Sequence, residues 1–285
     1  MSARCPHPKP LASRVIGTLY LLSTLSCSLP PRSEPPSLPL QPETPSTSNP
    51  ATLGAHDPPD PVAPDPPFVS LSVTGYGNAI VSVPSGARRA LPVLVAAHGA
   101  GDRPTWQCEV WREIVQDRGF VLCPQGTRMG WGQNLGFFFR HHHALEKEVL
   151  AALEALHERF GDRIAPGPVV YAGYSQGGTM GALMVVKHPH LFQRLVLVEG
   201  GEGEWDVPTA TRFRQGGGQR VLLVCGRHLC AERARKSLGW LLKGGVDARL
   251  EHVAGGGHSY GGSVAERLLA SFAWIVEGDP RWLPP

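Results

Sequence analysis

Val169-Val170-Tyr171-Ala172-Gly173-Tyr174-Ser175-Gln176-Gly177-Gly178-Thr179-Met180-Gly181 joins an apolar, β-branched run to a helix-like stretch of small residues through one sharp turn. The run predicts a strand over Val169–Ala172 and the stretch a helix over Gln176–Lys187. Between them Gly173-Tyr174-Ser175-Gln176-Gly177 fits the pattern G-x-S-x-G. Three fixed positions in five arise often by chance, so the strand before and the helix after carry the reading. A serine in such a turn is conformationally strained, and its neighbours must be small where strand and helix approach; Gly173 and Gly177 leave that room. Its hydroxyl is presented at a helix N-terminus, where developing negative charge is favoured. The alternative is a glycine-rich turn with a structural serine.

Two further loops fit a nucleophilic serine. His98-Gly99-Ala100-Gly101 follows the apolar run Leu91–Ala97 and resembles the H-G-x-G oxyanion loop of esterases. The hole would combine the N–H groups of Ala100 and Gln176, the latter being the residue after the nucleophile. His98 would then orient the loop. The base is predicted at His258, in Gly255-Gly256-Gly257-His258-Ser259-Tyr260. With twelve histidines in the chain, position is what selects it: it sits in a flexible loop after the last strand and comes last in chain order.

The rest alternates β-branched runs with helical spacing, the pattern of a mainly parallel sheet. Phe68–Thr74 and Ala79–Val83 form an opening hairpin turned at Gly75-Tyr76-Gly77-Asn78. Strands follow at Leu91–Ala97, Phe120–Cys123, Val169–Ala172, Leu195–Val198, Val221–Val224 and Ala248–Val253. Helices are expected over Thr105–Asp117, Leu145–Phe160, Gln176–Lys187, Ala231–Lys243 and Val264–Val276. This gives about eight strands, the first two antiparallel.

Taken together, roughly residues 90–275 resemble the α/β-hydrolase fold, within it the group of esterases, feruloyl esterases and polyhydroxybutyrate depolymerases. Pro124-Gln125-Gly126 followed by Trp131 completes that group's motif set. The resemblance implies a mostly parallel sheet with helices on both faces, and acyl transfer to water with no cofactor. It also implies an acid after Val221–Val224, and here the chain departs from it: Gly226-Arg227-His228-Leu229 holds no Asp. Three readings stay open. Glu199 ends the preceding strand, with Gly200 and Gly201 giving it room to turn, and is favoured. Glu232 lies three residues late, where its other role is charge at a helix N-terminus. The third reading has no acid, with water or a backbone carbonyl orienting His258.

Weaker signals point elsewhere. His141-His142-His143 invites a metal, but three adjacent side chains cannot converge, and a polar loop is expected. Cys225, His228 and Cys230 offer zinc-type ligands, against a local disulfide. No metal site is expected. Trp106, Trp131 and Phe137-Phe138-Phe139 flank the expected site, as a substrate pocket or as core. Asp102 and Arg103 would anchor the oxyanion loop.

The remaining expectations concern address and partners. Of 285 residues, 42 % are hydrophobic and 18 % charged, with a net charge of +3. The cations are scattered, without the basic stripe that nucleic-acid binding needs. Arg4, Lys9 and Arg14 precede the apolar run Val15–Ser26, which is too short to span a bilayer and suits a signal peptide. Thr24-Leu25-Ser26-Cys27 resembles a bacterial lipoprotein cleavage box with Thr where Leu is usual. A lipid on Cys27 would be the one membrane contact; ordinary cleavage nearby is the alternative. Residues 28–67, rich in Pro, Ser and Thr, read as a tether, leaving 68–285 as the catalytic domain. Beyond Cys5 and Cys27, the cysteines fall in two local pairs, Cys108 with Cys123 and Cys225 with Cys230, whose bonding an oxidising compartment would favour; four reduced, buried thiols are the alternative. The expected partner is a small-molecule ester. The rival functions are a prolyl-oligopeptidase-type peptidase and a catalytically silent surface lipoprotein.

Overall fold

In the computed structural model, residues 67–86, 88–131 and 135–283 are described; the expected signal segment, Cys27 and the expected tether up to residue 66 lie outside them. The elements run β1 (Phe68–Leu71), β2 (Ala79–Ser82), β3 (Val93–Ala97), α1 (Pro104–Val115), β4 (Phe120–Cys123), β5 (Thr127–Arg128), β6 (Phe137–Phe138), α2 (His142–Phe160), β7 (Val169–Tyr174), α3 (Gln176–Val185), β8 (Phe192–Val198), α4 (Val207–Gln215), β9 (Arg220–Cys225), α5 (His228–Lys243), β10 (Asp247–His252) and α6 (Ser263–Val276). Eight strands form one sheet in the order β1-β2-β4-β3-β7-β8-β9-β10. Only the pairs β1/β2 and β2/β4 are antiparallel.

Helices cover both faces, because successive side chains along a strand point to opposite sides. Val93, Val95 and Ala97 of β3 share one core with α2, α3, α4 and α5. Leu94 and Ala96 of the same strand share the other with α1 and α6. A strand buried on both faces must be apolar throughout, and β3 reads VLVAA with every residue buried. Cys108 and Cys123 are bonded, tying α1 to β4. A loop of this length contributes roughly 3 kcal/mol in the chain-entropy account. Cys225 and Cys230 form a second disulfide between the end of β9 and α5. Among the described residues no helix is long and apolar enough to cross a membrane.

The sheet register sets the functional edge. Ala97 pairs with Gly173, Tyr174 with Val198, Val198 with Val224, and Cys225 with His252. The carboxyl ends of β3, β7, β8, β9 and β10 therefore lie side by side. From this edge the chain releases His98, Ser175, Glu199, Gly226 and the loop to His258, and open α/β sheets place their ligands along such an edge.

Three elements, α4, β5 and β6, have no counterpart in the predicted pattern. Helix α4 lacks a strong apolar stripe; its signal is Asp206, whose carboxylate accepts the Thr209 N–H (2.7 Å), followed by Pro208 in the first turn. The β5–β6 hairpin is too short to show alternation. Helix α5 starts three residues earlier than expected, at His228, which puts Glu232 inside it.

Candidate active site

The turn after β7 is built by close approach. A Cβ on Gly177 would stand 2.3 Å from the Ala97 carbonyl oxygen, and one on Gly200 would stand 2.1 Å from that of Ser175. Ser175 has φ +50° and Glu199 φ +51°; among the described residues the one other non-glycine with positive φ is Gln116. Such backbone costs on the order of 1–3 kcal/mol per residue and persists where surroundings over-determine it. Here the Ser175 N–H donates to the Val198 carbonyl (2.9 Å) and the Glu199 N–H to that of Val224 (2.9 Å). Each strained residue is thus held by the strand beside it.

These two turns and the loop after β10 bring three side chains into line. His258 Nε2 lies 2.9 Å from Ser175 Oγ, and its Nδ1 lies 2.9 Å from Glu199 Oε2. The Glu199 side chain is fully covered. Its Oε1 accepts the N–H groups of Gly226 (2.6 Å) and Arg227 (2.8 Å), and its Oε2 also accepts Arg227 Nε–H (2.6 Å). Burial pushes this carboxyl's pKa up, but the donors from His258, Arg227 and Gly226 outweigh burial and hold it below the usual carboxylate range. Glu232 faces His228 at 3.7 Å instead and is half exposed.

The loop expected to form the oxyanion hole, His98–Gly101, is fastened on three sides. His98 is fully buried, with Nδ1 2.8 Å from the Gly99 carbonyl oxygen and Nε2 2.8 Å from that of Gln125. Its ring stacks on Phe139 at 4.7 Å. The Gly126 N–H donates to buried Glu148 (2.7 Å), so Pro124-Gln125-Gly126 is locked between His98 and α2. β6 straps the loop from outside, through Gly101 N–H to Phe137 O and Phe137 N–H to Asp102 O, both 2.8 Å. Gln176 opens α3, so its N–H has no intrahelical acceptor. Neither it nor the Ala100 N–H is hydrogen-bonded among the described residues.

Tyrosines that sequence reasoning did not single out hold the histidine loop. The Tyr174 hydroxyl donates to the His258 carbonyl (2.8 Å), and the Tyr260 hydroxyl to Asp102 (3.1 Å), which also accepts Gln107 Nε2–H (3.3 Å) and the Arg103 N–H (2.7 Å). Asp102 therefore links the loop after β3 to the loop carrying His258. Burial, then the nearby Asp102 and Glu199 charges, push the Tyr174 hydroxyl up to about 12. Tyr174 directly precedes Ser175 and Tyr260 lies two residues after His258, which is the signal that could have found them.

Ser175 and His258 open into a cleft of about 450 Å³, lined besides by Thr179, Met180, Glu202, Arg227 and Arg233. Trp106 and Trp131 do not line it; both are exposed, and Trp106 stacks under Arg103. Phe139 is core. A larger cavity of about 850 Å³ near Trp274 and Trp282 holds none of these groups, so size does not locate the chemistry here.

The metal readings resolve into other contacts. Glu199, Cys225 and Cys230 lie within 4.8 Å of one another, but zinc binds thiolates and both sulfurs are spent in the disulfide. Of the three adjacent histidines, His141 caps α2 by accepting the Ala144 N–H (3.1 Å). His143 meets Glu146 (3.3 Å) and Lys187 (2.8 Å), and His188 meets Glu146 (2.7 Å). Burial pushes the Glu146 carboxyl up, but donors from His188, Lys187 and His143 outweigh it and bring the pKa to about 2. A folded-state value below the unfolded one gives stability that is full above about pH 4.5 and lost as pH falls toward 2. Glu146→Gln is expected to cost about 1–2 kcal/mol at pH 7 and to flatten that acid loss in denaturant titrations. An unchanged acid limb would remove Glu146 from this role.

A family model of the alpha/beta hydrolase fold matches residues 95–244, from within β3 to just past α5. No curated protein matches the sequence. Among solved structures, TT1662 from Thermus thermophilus superposes with a TM-score of 0.54 at 19% identity, over 74% of this chain and 98% of that one. Est1E from Butyrivibrio proteoclasticus gives 0.55 at 13% identity, over 74% and 99%. FphF, a fluorophosphonate-binding serine hydrolase of Staphylococcus aureus, gives 0.54 at 12% identity, over 73% and 97%. At these identities the likeness is one of fold.

Proposed function

Since the chain belongs to the α/β-hydrolase fold family, we propose that it is an exported serine hydrolase that cleaves carboxylic esters through an acyl-enzyme. The observation that carries this is the continuous hydrogen-bonded run Ser175–His258–Glu199, with 2.9 Å at both joints. As His258 Nε2 takes the hydroxyl proton, Ser175 Oγ bonds to the ester carbonyl carbon, and the Ala100 and Gln176 N–H groups receive the oxyanion. The bond from carbon to the alcohol oxygen then breaks, and His258 returns the proton to that oxygen. Water repeats the cycle, its proton passing to His258 and then to Ser175 as the acid is released. Glu199 keeps Nδ1 protonated and stabilises the imidazolium, and no cofactor is required.

Export is supported by the two disulfides, which persist in oxidising compartments. The signal segment, the lipid on Cys27, the tether and the catalytic domain from residue 68 belong to the same proposal.

The test is covalent labelling. A fluorophosphonate, the probe class that FphF binds, is expected to add one equivalent to the peptide containing Ser175, read by mass spectrometry. Intact protein that stays unlabelled would favour the catalytically silent reading.

A further inference from the structure

The charges around Ser175 are sorted by depth. Two carboxylates and two guanidinium groups line the cleft. The Glu199 side chain is 0% exposed, with both oxygens engaged, and that of Glu202 is 12% exposed. The Ser237 hydroxyl donates to the Glu202 carbonyl and helps seat that residue inward. Arg227 and Arg233 are 52% and 60% exposed. The face that a substrate meets is therefore cationic although the lining is balanced in number.

Both guanidinium groups keep donors to spare. Arg227 spends Nε on Glu199, and among the described residues neither terminal nitrogen has an acceptor. This fastening points the planar group in one direction, which lowers the entropy cost of receiving an anion. Arg233 has a single loose contact, Nη1 to Glu202 Oε1 at 3.9 Å. Met180 is the one large apolar side chain in the lining, so a long alkyl chain finds little to bury against.

Resting on the ester-hydrolase reading above, we propose that the substrates are esters carrying a carboxylate, which Arg227 and Arg233 receive while Ser175 attacks the ester carbonyl. A carboxylate takes two parallel N–H bonds from a guanidinium, an arrangement that a neutral chain end cannot reproduce.

The experiment compares 4-nitrophenyl hydrogen adipate with 4-nitrophenyl methyl adipate, of nearly equal length but with the remote carboxylate masked. Wild-type kcat/KM is expected to favour the anionic ester by about tenfold at low ionic strength, and added salt to compress the ratio. Arg233→Gln is expected to bring the ratio down several-fold. Arg227 is left intact, because it also holds Glu199. The salt series needs no variant, so a misfolded Arg233→Gln leaves the idea exposed to refutation. Turnover of both esters with a ratio of one or below, or a ratio indifferent to salt and to Arg233, overturns the anion preference and leaves the hydrolase reading standing. No turnover of either ester, together with no fluorophosphonate labelling, sinks both.

Discussion

Ser175→Ala is expected to lower kcat on a 4-nitrophenyl ester by about a million-fold, and Ser175→Ala/His258→Ala by no more than that. The geometry explains the non-additivity. His258 Nε2 lies 2.9 Å from Ser175 Oγ, and its proposed task is to move that oxygen's proton. Once the oxygen is gone, the imidazole has nothing to deprotonate, so its removal costs nothing further. The residual rate should come from the Ala100 and Gln176 N–H groups, with KM close to that of the wild type. A double variant that falls a further hundredfold would mean that the two side chains work separately. Ser175→Ala within tenfold of wild type would move the nucleophile elsewhere.

Glu199→Gln is the second large effect, about 10⁴-fold in kcat with substrate binding nearly unchanged. The carboxylate accepts from four donors: His258 Nδ1, the Gly226 and Arg227 N–H groups, and Arg227 Nε. A carboxamide has one oxygen, so its NH₂ must face a donor. The imidazole is then driven toward the tautomer with its proton on Nε2, where it cannot act as a base. The same site makes a stability statement. The Glu199 pKa lies below the usual carboxylate range, so its contribution is present above about pH 4.5 and lost as pH falls through the lower folded-state value. The Gln variant should lack that acid-side loss. Near-wild-type turnover of Glu199→Gln would refute the assignment, and Glu232→Gln, on an exposed helix turn, supplies the comparison.

How far the sequence could be read depended on where each signal resides. The central parallel strands of the main sheet were legible because strands buried on both faces are apolar and rich in β-branched residues, and Val169–Ala172, Leu195–Val198 and Val221–Val224 are little else. The turn at Ser175 was legible because its sterics need glycine at fixed offsets. The proposed acid was not settled by spacing along the chain, because what brings Glu199 to His258 is the lateral register of β8, β9 and β10. Helix α4 was hidden by its polarity, although Asp206 and Pro208 mark its start. The cleft wall went unread for a related reason: Arg227 and Arg233 look like ordinary surface cations until α5 is placed beside Ser175. Of the aromatic residues that drew attention, Trp106 sits on the exposed side of the first turn of α1 and Trp131 on an exposed loop, and no local pattern encodes where either points.

The seat that receives Glu199 has a consequence for finding relatives of this chain. The two amides at Gly226 and Arg227 belong to the turn after β9, whereas the oxygen they grip arrives from β8. The anchorage is thus split between neighbouring strands: the amides come from one strand end and the carboxylate from the one beside it. A survey keyed to an aspartate in the customary loop would discard this protein as defective. One that asks instead for a carboxylate reaching a pair of consecutive amides at the mouth of that loop would keep it.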